Sequence, residues 1–325
     1  MDNKKIKIGA IGCSSIAAKA ILPAVVGGSE FELVAVGSRN PTKASEFSSK
    51  FDCEPTTYEG ILNDSRIDAV YVSLPTGLHA EWGMKVLDAG KHLLLEKTFT
   101  RSLAEASDLV KKANGRELVA MESLQYFHHP LYEKTMEVVR GGGVGDVLHV
   151  EAQFGIPQRP DGDIRNFANL GGGAILDTLV YPLSFALGFC AEEPQNIHAH
   201  GEFDVAHGVD SRGFVQIDWP GMTAQIAYGF GLFYRNHFCV WGSRGVLSAD
   251  RVFTRPKDHV GSVQLRLSDR VEEIPVPAAD PYAKTLEAFC RKIFKQDTSG
   301  TNEGEDILRR MAIFEKVMEK SHDKR

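Results

Sequence analysis

Cysteine is scarce in this 325-residue chain: five residues (Cys13, Cys53, Cys190, Cys239, Cys290) lie scattered, and no two form a CxxC pair. An odd, dispersed set argues against a disulfide framework or a cysteine-based zinc knot and predicts a reducing compartment. Blocks of like charge are also missing, with 37 Lys and Arg against 43 Asp and Glu for a formal net charge of -6. Nothing here would attract a nucleic-acid backbone or an anionic membrane surface, so small molecules are the expected partners. No apolar run approaches the ~18 residues of a spanning helix. The opening MDNKKIKIGAIG lacks the apolar core and small-residue cleavage site of a secretion signal. The expectation is a cytoplasmic protein that does not contact a membrane. Clustered metal ligands are lacking too. His198 and His200 share a strand face in the HAH run, but no third ligand accompanies them, and no metal is expected.

What is present suffices for two domains, since 43% of residues are apolar and 25% charged. From residue 5 to about 121, β-rich runs (IKIGAI, ELVAVGS, AVYVSL, HLLLE, LVAM) alternate with helical patterns such as PTKASEFSSKF and SLAEASDLVKKAN. Five strands alternating with helices predict an α/β domain with a doubly wound parallel sheet, because each crossover carries the chain back over one face. After Met121 the rhythm changes. A helix (HPLYEKTMEVVRGGG), a strand (VLHVEAQF), a glycine loop with helix (GGGAILDTLVYPLSFALG) and a succession of strands over 195–276 precede two closing helices. Strands that follow one another without helices imply a mainly antiparallel sheet in an α+β domain. The predicted domains are residues 1–124 and 125–325.

Chemistry-bearing residues gather where the predicted strands end, which in an open α/β sheet is where ligands bind. After the first strand, GAIGCSSIA places Gly12, Ser14 and Ala17 at the G-x-G-x-x-G/A positions of a dinucleotide fingerprint, with Cys13, Ser15 and Ile16 completing the loop. The middle glycine is replaced, so Ser14 either stands farther from a pyrophosphate or offers its hydroxyl as a donor. After the second strand, GSRN lacks the acid that grips a free ribose 2'-hydroxyl. Ser38 and Arg39 could instead hold a 2'-phosphate, which favours NADP(H) with NAD(H) as the alternative; the competing reading of Arg39 is a solvated turn residue. Leu74, Pro75 and Thr76 end the third strand, and Thr76 could cap the next helix. His79 follows as a helix residue near the cofactor. Glu96 and Lys97 emerge from the apolar run HLLLE, where the lysine is either a surface cation or a functional group. In the second domain Asp177 and Tyr181 are four apart on a predicted helix and share a face. Asp163 and Arg165 precede the glycine loop and could meet a charged part of a substrate; the competing reading is a solvated loop.

Taken in order, IGAIGCSSIA, SLPTGLHAEW, AGKHLLLEKTF, MESLQYFHHP and LGGGAILDTLVYPLSFA resemble the glucose-fructose oxidoreductase and inositol dehydrogenase family (Gfo/Idh/MocA) over most of residues 5–190. Within it the chain looks most like reductases of nucleotide-linked keto-sugars and the related dihydrodiol and aldose dehydrogenases. The resemblance implies a Rossmann domain holding a nicotinamide cofactor, a sugar or polyol clasped between the two domains, and a second domain whose large open sheet joins subunits into a homodimer or homotetramer. It gives Lys97 the place of the lysine in the Glu-Lys-Pro motif, beside Glu96. Asp177 takes that of the substrate-binding aspartate, and Tyr181 that of the catalytic histidine or tyrosine. Three positions depart from the family pattern: Thr98 in place of proline, Phe127 in place of arginine, and Leu179 in place of the glycine of Asp-x-Gly.

The expected reaction is hydride transfer between nicotinamide and a sugar carbon, with Tyr181 as proton donor or acceptor, Lys97 stabilising its phenolate, and Asp177 orienting substrate hydroxyls. Reduction of a keto-sugar, nucleotide-linked or not, heads the readings. Oxidation of a free sugar, inositol or dihydrodiol is the rival within the class, and a non-catalytic regulator that binds a cofactor is the rival outside it.

Overall fold

The computed structural model of the protein describes residues 5–296 and 302–322. The chain divides into two compact units: Met1–Leu124 with Tyr282–Arg309, and Gln125–Pro281 with Arg310–Arg325.

The first unit is built on β1 (Ile6–Ile11), β2 (Phe31–Gly37), β3 (Glu54–Thr56), β4 (Ala69–Val72), β5 (His92–Glu96) and β6 (Ala120–Ser123). All pair in parallel, in the order β3-β2-β1-β4-β5-β6. This adds one strand to the expected five. β3 is three residues long and contains Pro55, which suits only an edge strand because proline cannot donate to a central ladder. The inner strands are apolar on both faces because helices cover both, and every residue of β4 is buried. The crossovers contain α1 (Leu22–Gly27), α2 (Pro41–Phe51), α3 (Tyr58–Asn63), α4 (His79–Asp88) and α5 (Leu103–Gly115). Their starts follow local chemistry: Asn40 accepts from the Thr42 and Lys43 amides with Pro41 in the first turn of α2, and Ser102 caps α5.

One polar pair is sealed inside this sheet. The Tyr71 hydroxyl, from the middle of β4, donates to Glu96 Oε1 at the end of β5 at 2.8 Å. Burial pushes the Glu96 carboxyl above its ordinary value, opposed by the Tyr71 bond and the Lys97 charge.

The second unit carries α6 (Pro130–Arg140), β7 (Val147–Gly155), α7 (Val180–Leu187), β8 (Asn196–Asp204), β9 (Val209–Trp219), β10 (Met222–Gly229), β11 (Arg235–Gly242), β12 (Val246–Asp250), β13 (Gly261–Arg266) and β14 (Val271–Val276). Its eight strands run β14-β13-β12-β11-β7-β10-β9-β8, antiparallel except for the β7–β10 pair. α7 packs on β7 and β10, and α6 on β13 and β14. The opposite face stays open, so strands alternate: in β9 Val215 and Ile217 are buried, while Gln216 between them is exposed and Phe214 before them is 61% exposed.

Two expectations change here. Ala168–Leu187 is long and apolar enough to cross a membrane by composition, yet 78% of its most apolar window is buried inside the protein. Every residue of α7 is buried, as befits a helix apolar on all sides that lies within a core. Residues 282–309, expected in the second domain, fall in the first unit. α8 (Pro281–Ile293) brings Leu286, Ala288 and Phe289 into the core around β1 and β2, where Phe289 stacks on Phe31 with centroids 6.1 Å apart. α9 (Glu303–His322) follows.

Phe289→Ala should therefore cost about 3–5 kcal/mol in denaturant unfolding. Phe294→Ala, at a residue 48% exposed, should cost less than about 1 kcal/mol. Glu96 gives a pH signature. Its folded pKa lies above the unfolded one, so the contribution of Glu96 to stability is fully present below the ordinary carboxylate value of 4.5 and is lost as pH rises through the raised value. Glu96→Gln cannot ionise, so its melting temperature should gain on wild type as pH rises across that window; a constant difference would show that Glu96 does not titrate there.

Candidate active site

In the first unit, the strand order reverses between β1 and β4, which is the switch point where open α/β sheets bind ligands. Gly12 leaves β1 with φ +100, and a Cβ there would meet Ser73 Oγ at 3.0 Å, Leu74 Cδ2 at 3.1 Å and the Ser73 carbonyl at 3.1 Å. Only glycine fits both the dihedral and the space. Ser73 Oγ donates to the Gly12 carbonyl at 2.9 Å, tying the two strand exits together. Ser14 Oγ accepts from Ala17 N at 3.1 Å, which keeps its hydroxyl hydrogen available for donation. Ser15 and Ile16 lead into a π-wound turn, Ala17–Ile21, that runs on into α1.

Ser38 follows β2, buried, with its Oγ accepting from Asn40 N and bonded to the Cys13 side chain, so the glycine loop and the β2 exit form one surface. Burial raises the Cys13 thiol, which stays protonated. Arg39 is exposed and lies beside the Tyr58 phenol, whose pKa burial raises and the guanidinium lowers.

Leu74 and Pro75 end the β4 exit. Thr76 opens a 3₁₀ turn, Thr76–Leu78, and the residue in the cap position of α4 is Leu78, so Thr76 does not cap that helix. His79 is fully buried, with Nδ1 2.8 Å from the Thr98 carbonyl and Nε2 2.7 Å from the Leu74 carbonyl. What this expected cofactor contact can offer a ligand is the fixed placement of the Leu74–Thr76 turn against the β5 exit. At that exit Lys97 N donates to Glu96 Oε2 at 3.3 Å, the Lys97–Thr98 peptide is cis, and Phe99 N donates to Glu122 Oε1 at 2.8 Å. The backbone from Lys97 to Phe99 is thus held at its two ends by the carboxylates of Glu96 and Glu122.

In the second unit, Asp177 lies in a second π-wound turn, Ile175–Leu179, directly before α7. Such widened turns are rare and concentrate at functional sites. The glycine loop before it is shaped by close approach. Gly172 N donates to the Phe167 carbonyl and Gly173 N to the Arg165 carbonyl, while a Cβ on Gly173 (φ +108) would collide with Asp210 Oδ1. The other oxygen of Asp210 accepts from Ile175 N at 2.6 Å, fixing where the helix begins. Arg165 Nε donates to Asp177 Oδ2 at 2.7 Å and its Nη1 to Asp163 Oδ1 at 3.1 Å. Burial works against the guanidinium charge, but the two carboxylates hold it firmly protonated. Asp177 therefore meets Arg165 directly, and Arg165 serves it as a positioning cation.

Tyr181, on α7, is buried in an aromatic box: Phe154 meets it edge-on at 5.0 Å, with Phe253 at 6.0 Å and Tyr126 at 6.2 Å. The box fixes the ring plane. Sequence reasoning passed over Tyr71, Ser73, Asp210, Tyr126 and Phe253. A usable signal existed for Tyr71 alone, as a phenol in the centre of an otherwise aliphatic buried strand. The remaining four act through tertiary contacts between segments far apart in the chain.

Residues 6–124 match the oxidoreductase family with an NAD-binding Rossmann fold, and residues 132–248 match the GFO/IDH/MocA C-terminal domain. The chain is 36% identical over 321 residues, 97% of each protein, to dTDP-3,4-didehydro-2,6-dideoxy-alpha-D-glucose 3-reductase of Saccharopolyspora spinosa. It is 31% identical over 306 residues, 92% of each, to D-xylose 1-dehydrogenase (NADP(+)) 2 of Haloferax volcanii. Among solved structures, the 3-ketoreductase KijD10 of Actinomadura kijaniata, in complex with NADP and TDP-benzene, matches with a TM-score of 0.92 and 34% identity over 98% of both chains. That enzyme has also been solved with one tyrosine or one lysine substituted, each time with TDP-benzene and NADP. With both halves matched in order and the likeness running end to end, the chain belongs to the GFO/IDH/MocA family and is a nicotinamide-dependent oxidoreductase acting on sugars.

Proposed function

We propose that this enzyme uses NADPH to reduce the ketone of a keto-sugar carried on a nucleoside diphosphate. The observation that carries this reading is the end-to-end similarity to a 3-reductase and to a 3-ketoreductase solved with NADP and TDP-benzene.

The first unit's own geometry fits such a cofactor. The loop Gly12–Ile16 opens at the switch point with no Cβ permitted at residue 12, so backbone can approach a pyrophosphate. Ser38 and Arg39 then take the 2'-phosphate, and Leu74, Pro75, Thr76, Glu96 and Lys97 flank the nicotinamide half. When bound, NADPH supplies the hydride. The chain's residues do the rest: the Tyr181 hydroxyl gives a proton to the carbonyl oxygen as it becomes an alcohol, and Lys97 is the cation that stabilises the phenolate left behind. Asp177, steadied by Arg165, accepts from sugar hydroxyls and sets the ring's orientation. The tyrosine and lysine variants solved for the 3-ketoreductase lend these two residue types support.

The homodimer or homotetramer belongs to the same proposal. The open face of the second sheet exposes Trp241 (58%) and Phe214 (61%), and Phe214 lines a hollow of about 470 Å³ together with Glu151, His198, His200 and Gln225. A second copy would remove these side chains from water. A cytoplasmic setting is supported by the free cysteines, none of them paired.

Tyr181→Phe should lower kcat for NADPH-dependent reduction of a dTDP-keto-sugar by about 10²–10⁴-fold while NADPH affinity is retained; undiminished turnover would remove Tyr181 from the chemistry. Arg39→Ala should weaken NADPH about tenfold or more and leave NADH nearly unchanged; equal losses would refute the 2'-phosphate assignment. If free xylose with NADP proves the better substrate pair, the dehydrogenase reading replaces this one.

A further inference from the structure

Most charged side chains of this protein that are withdrawn from water have partners, and Arg255 is an exception. It lies in the 251–260 loop that joins β12 to β13 and is 9% exposed, although Pro256 and Lys257, which follow it, are exposed. Its Nε and Nη1 are sealed from solvent and meet no hydrogen-bond acceptor among the described residues. Asp258, the one acid of the loop, is exposed and forms no ion pair with it among the described residues.

The surroundings add positive charge. Arg251 and His259 belong to the same loop, and His129 caps the start of α6, which packs on β13 and β14. His129 Nδ1 accepts from Leu131 N at 3.0 Å, and its buried ring also interacts with the Ala279 backbone. Burial, then Arg255 and His259, depress His129 to about 4, opposed by a hydrogen bond to the Ala279 backbone. Burial and Arg251 likewise lower Arg255, and no acid offsets either group. A buried, unpaired guanidinium costs several kcal/mol, a penalty that an oxyanion relieves with charge-assisted hydrogen bonds.

The seat is constructed rather than incidental. A Cβ on Gly261 would overlap Nη2 and come within 3.0 Å of Cζ, so the guanidinium lies against bare backbone. The loop is held by Asn236, whose Oδ1 accepts from Phe253 N at 2.9 Å, and by the burial of Phe253 at 1% exposure. Phe253 also forms one wall of the Tyr181 box.

We propose that Arg255, with His129 and His259, forms an oxyanion-binding site within the second unit, whose ligand is a phosphate group. Two sources share that chemistry: the diphosphate of a nucleotide-linked substrate, and free inorganic phosphate. The site does not require the proposed sugar chemistry to be correct.

The test uses the full chain saturated with NADP, so that the 2'-phosphate site is already filled. Thermal unfolding is compared in about 10 mM inorganic phosphate and in chloride of matched ionic strength, and dTDP binding is measured by calorimetry. Wild type should melt about 2 °C or more higher in phosphate. Arg255→Met should lose that response while melting no lower than wild type in chloride, because it removes an unpaired buried charge. Gly261→Ala, which pushes the guanidinium off its seat, should lose the response too and decides the matter if Arg255→Met does not fold. A loss of about 10- to 100-fold in dTDP affinity in either variant assigns the phosphate to the nucleotide. Unchanged dTDP affinity with the phosphate response lost assigns it to free phosphate. The proposal is overturned if wild type responds to phosphate no more than to chloride, or if the variants keep the response.

Discussion

The backbone at the end of β1 comes so close to the end of β4 that residue 12 can carry no side chain. That contact, closed by the Ser73 hydroxyl on the Gly12 carbonyl, fixes the point where the parallel sheet reverses its strand order. The neighbouring features of the first unit follow from it. Ser14 can cap the turn that begins there, Ser38 reaches the Cys13 side chain, and His79 braces the Leu74 and Thr98 carbonyls. A sheet whose strands are buried on both faces leaves its polar edge as the one place where a charged ligand meets backbone amides.

The second unit reaches a comparable precision by another route. Its helix start is specified from across the sheet: Asp210 of β9 holds the Ile175 amide and occupies the space that a side chain at residue 173 would need. Arg165 then ties Asp177 to Asp163, and an aromatic box holds Tyr181. Most of these groups are polar atoms satisfied by one another, so the geometry is rigid before any ligand arrives, which is what orientation-dependent chemistry needs. Arg255 stands apart from this pattern because burial, and then Arg251, act against its charge.

Much of the fold was legible from local pattern. Alternation of β-rich runs with helical periods gave the parallel sheet, and a run of strands without helices gave the antiparallel one, because the period of apolar residues reports which faces are covered. The short β3 escaped notice because three residues with a proline carry no periodic signal. Residues 282–309 were placed with the wrong neighbour because an amphipathic helix announces that it has a buried face without naming the surface that buries it. Ala168–Leu187 shows the same limit: its composition suits lipid and protein interior equally, and burial beneath the second sheet settles the matter.

For the candidate site, the sequence by itself determined which residue types stand at the strand ends: Gly12, Ser38, Arg39, Glu96 and Lys97 in one half, Asp177 and Tyr181 in the other. Spacing along a strand or helix is a local property, and local chemistry suffices to fix it. Tertiary structure alone decided that Glu96 is buried against Tyr71, that Arg165 belongs to Asp177, and that Arg255 is left without a counter-charge. Those outcomes depend on which distant segments share a low-dielectric interior, and no local pattern in the chain encodes that.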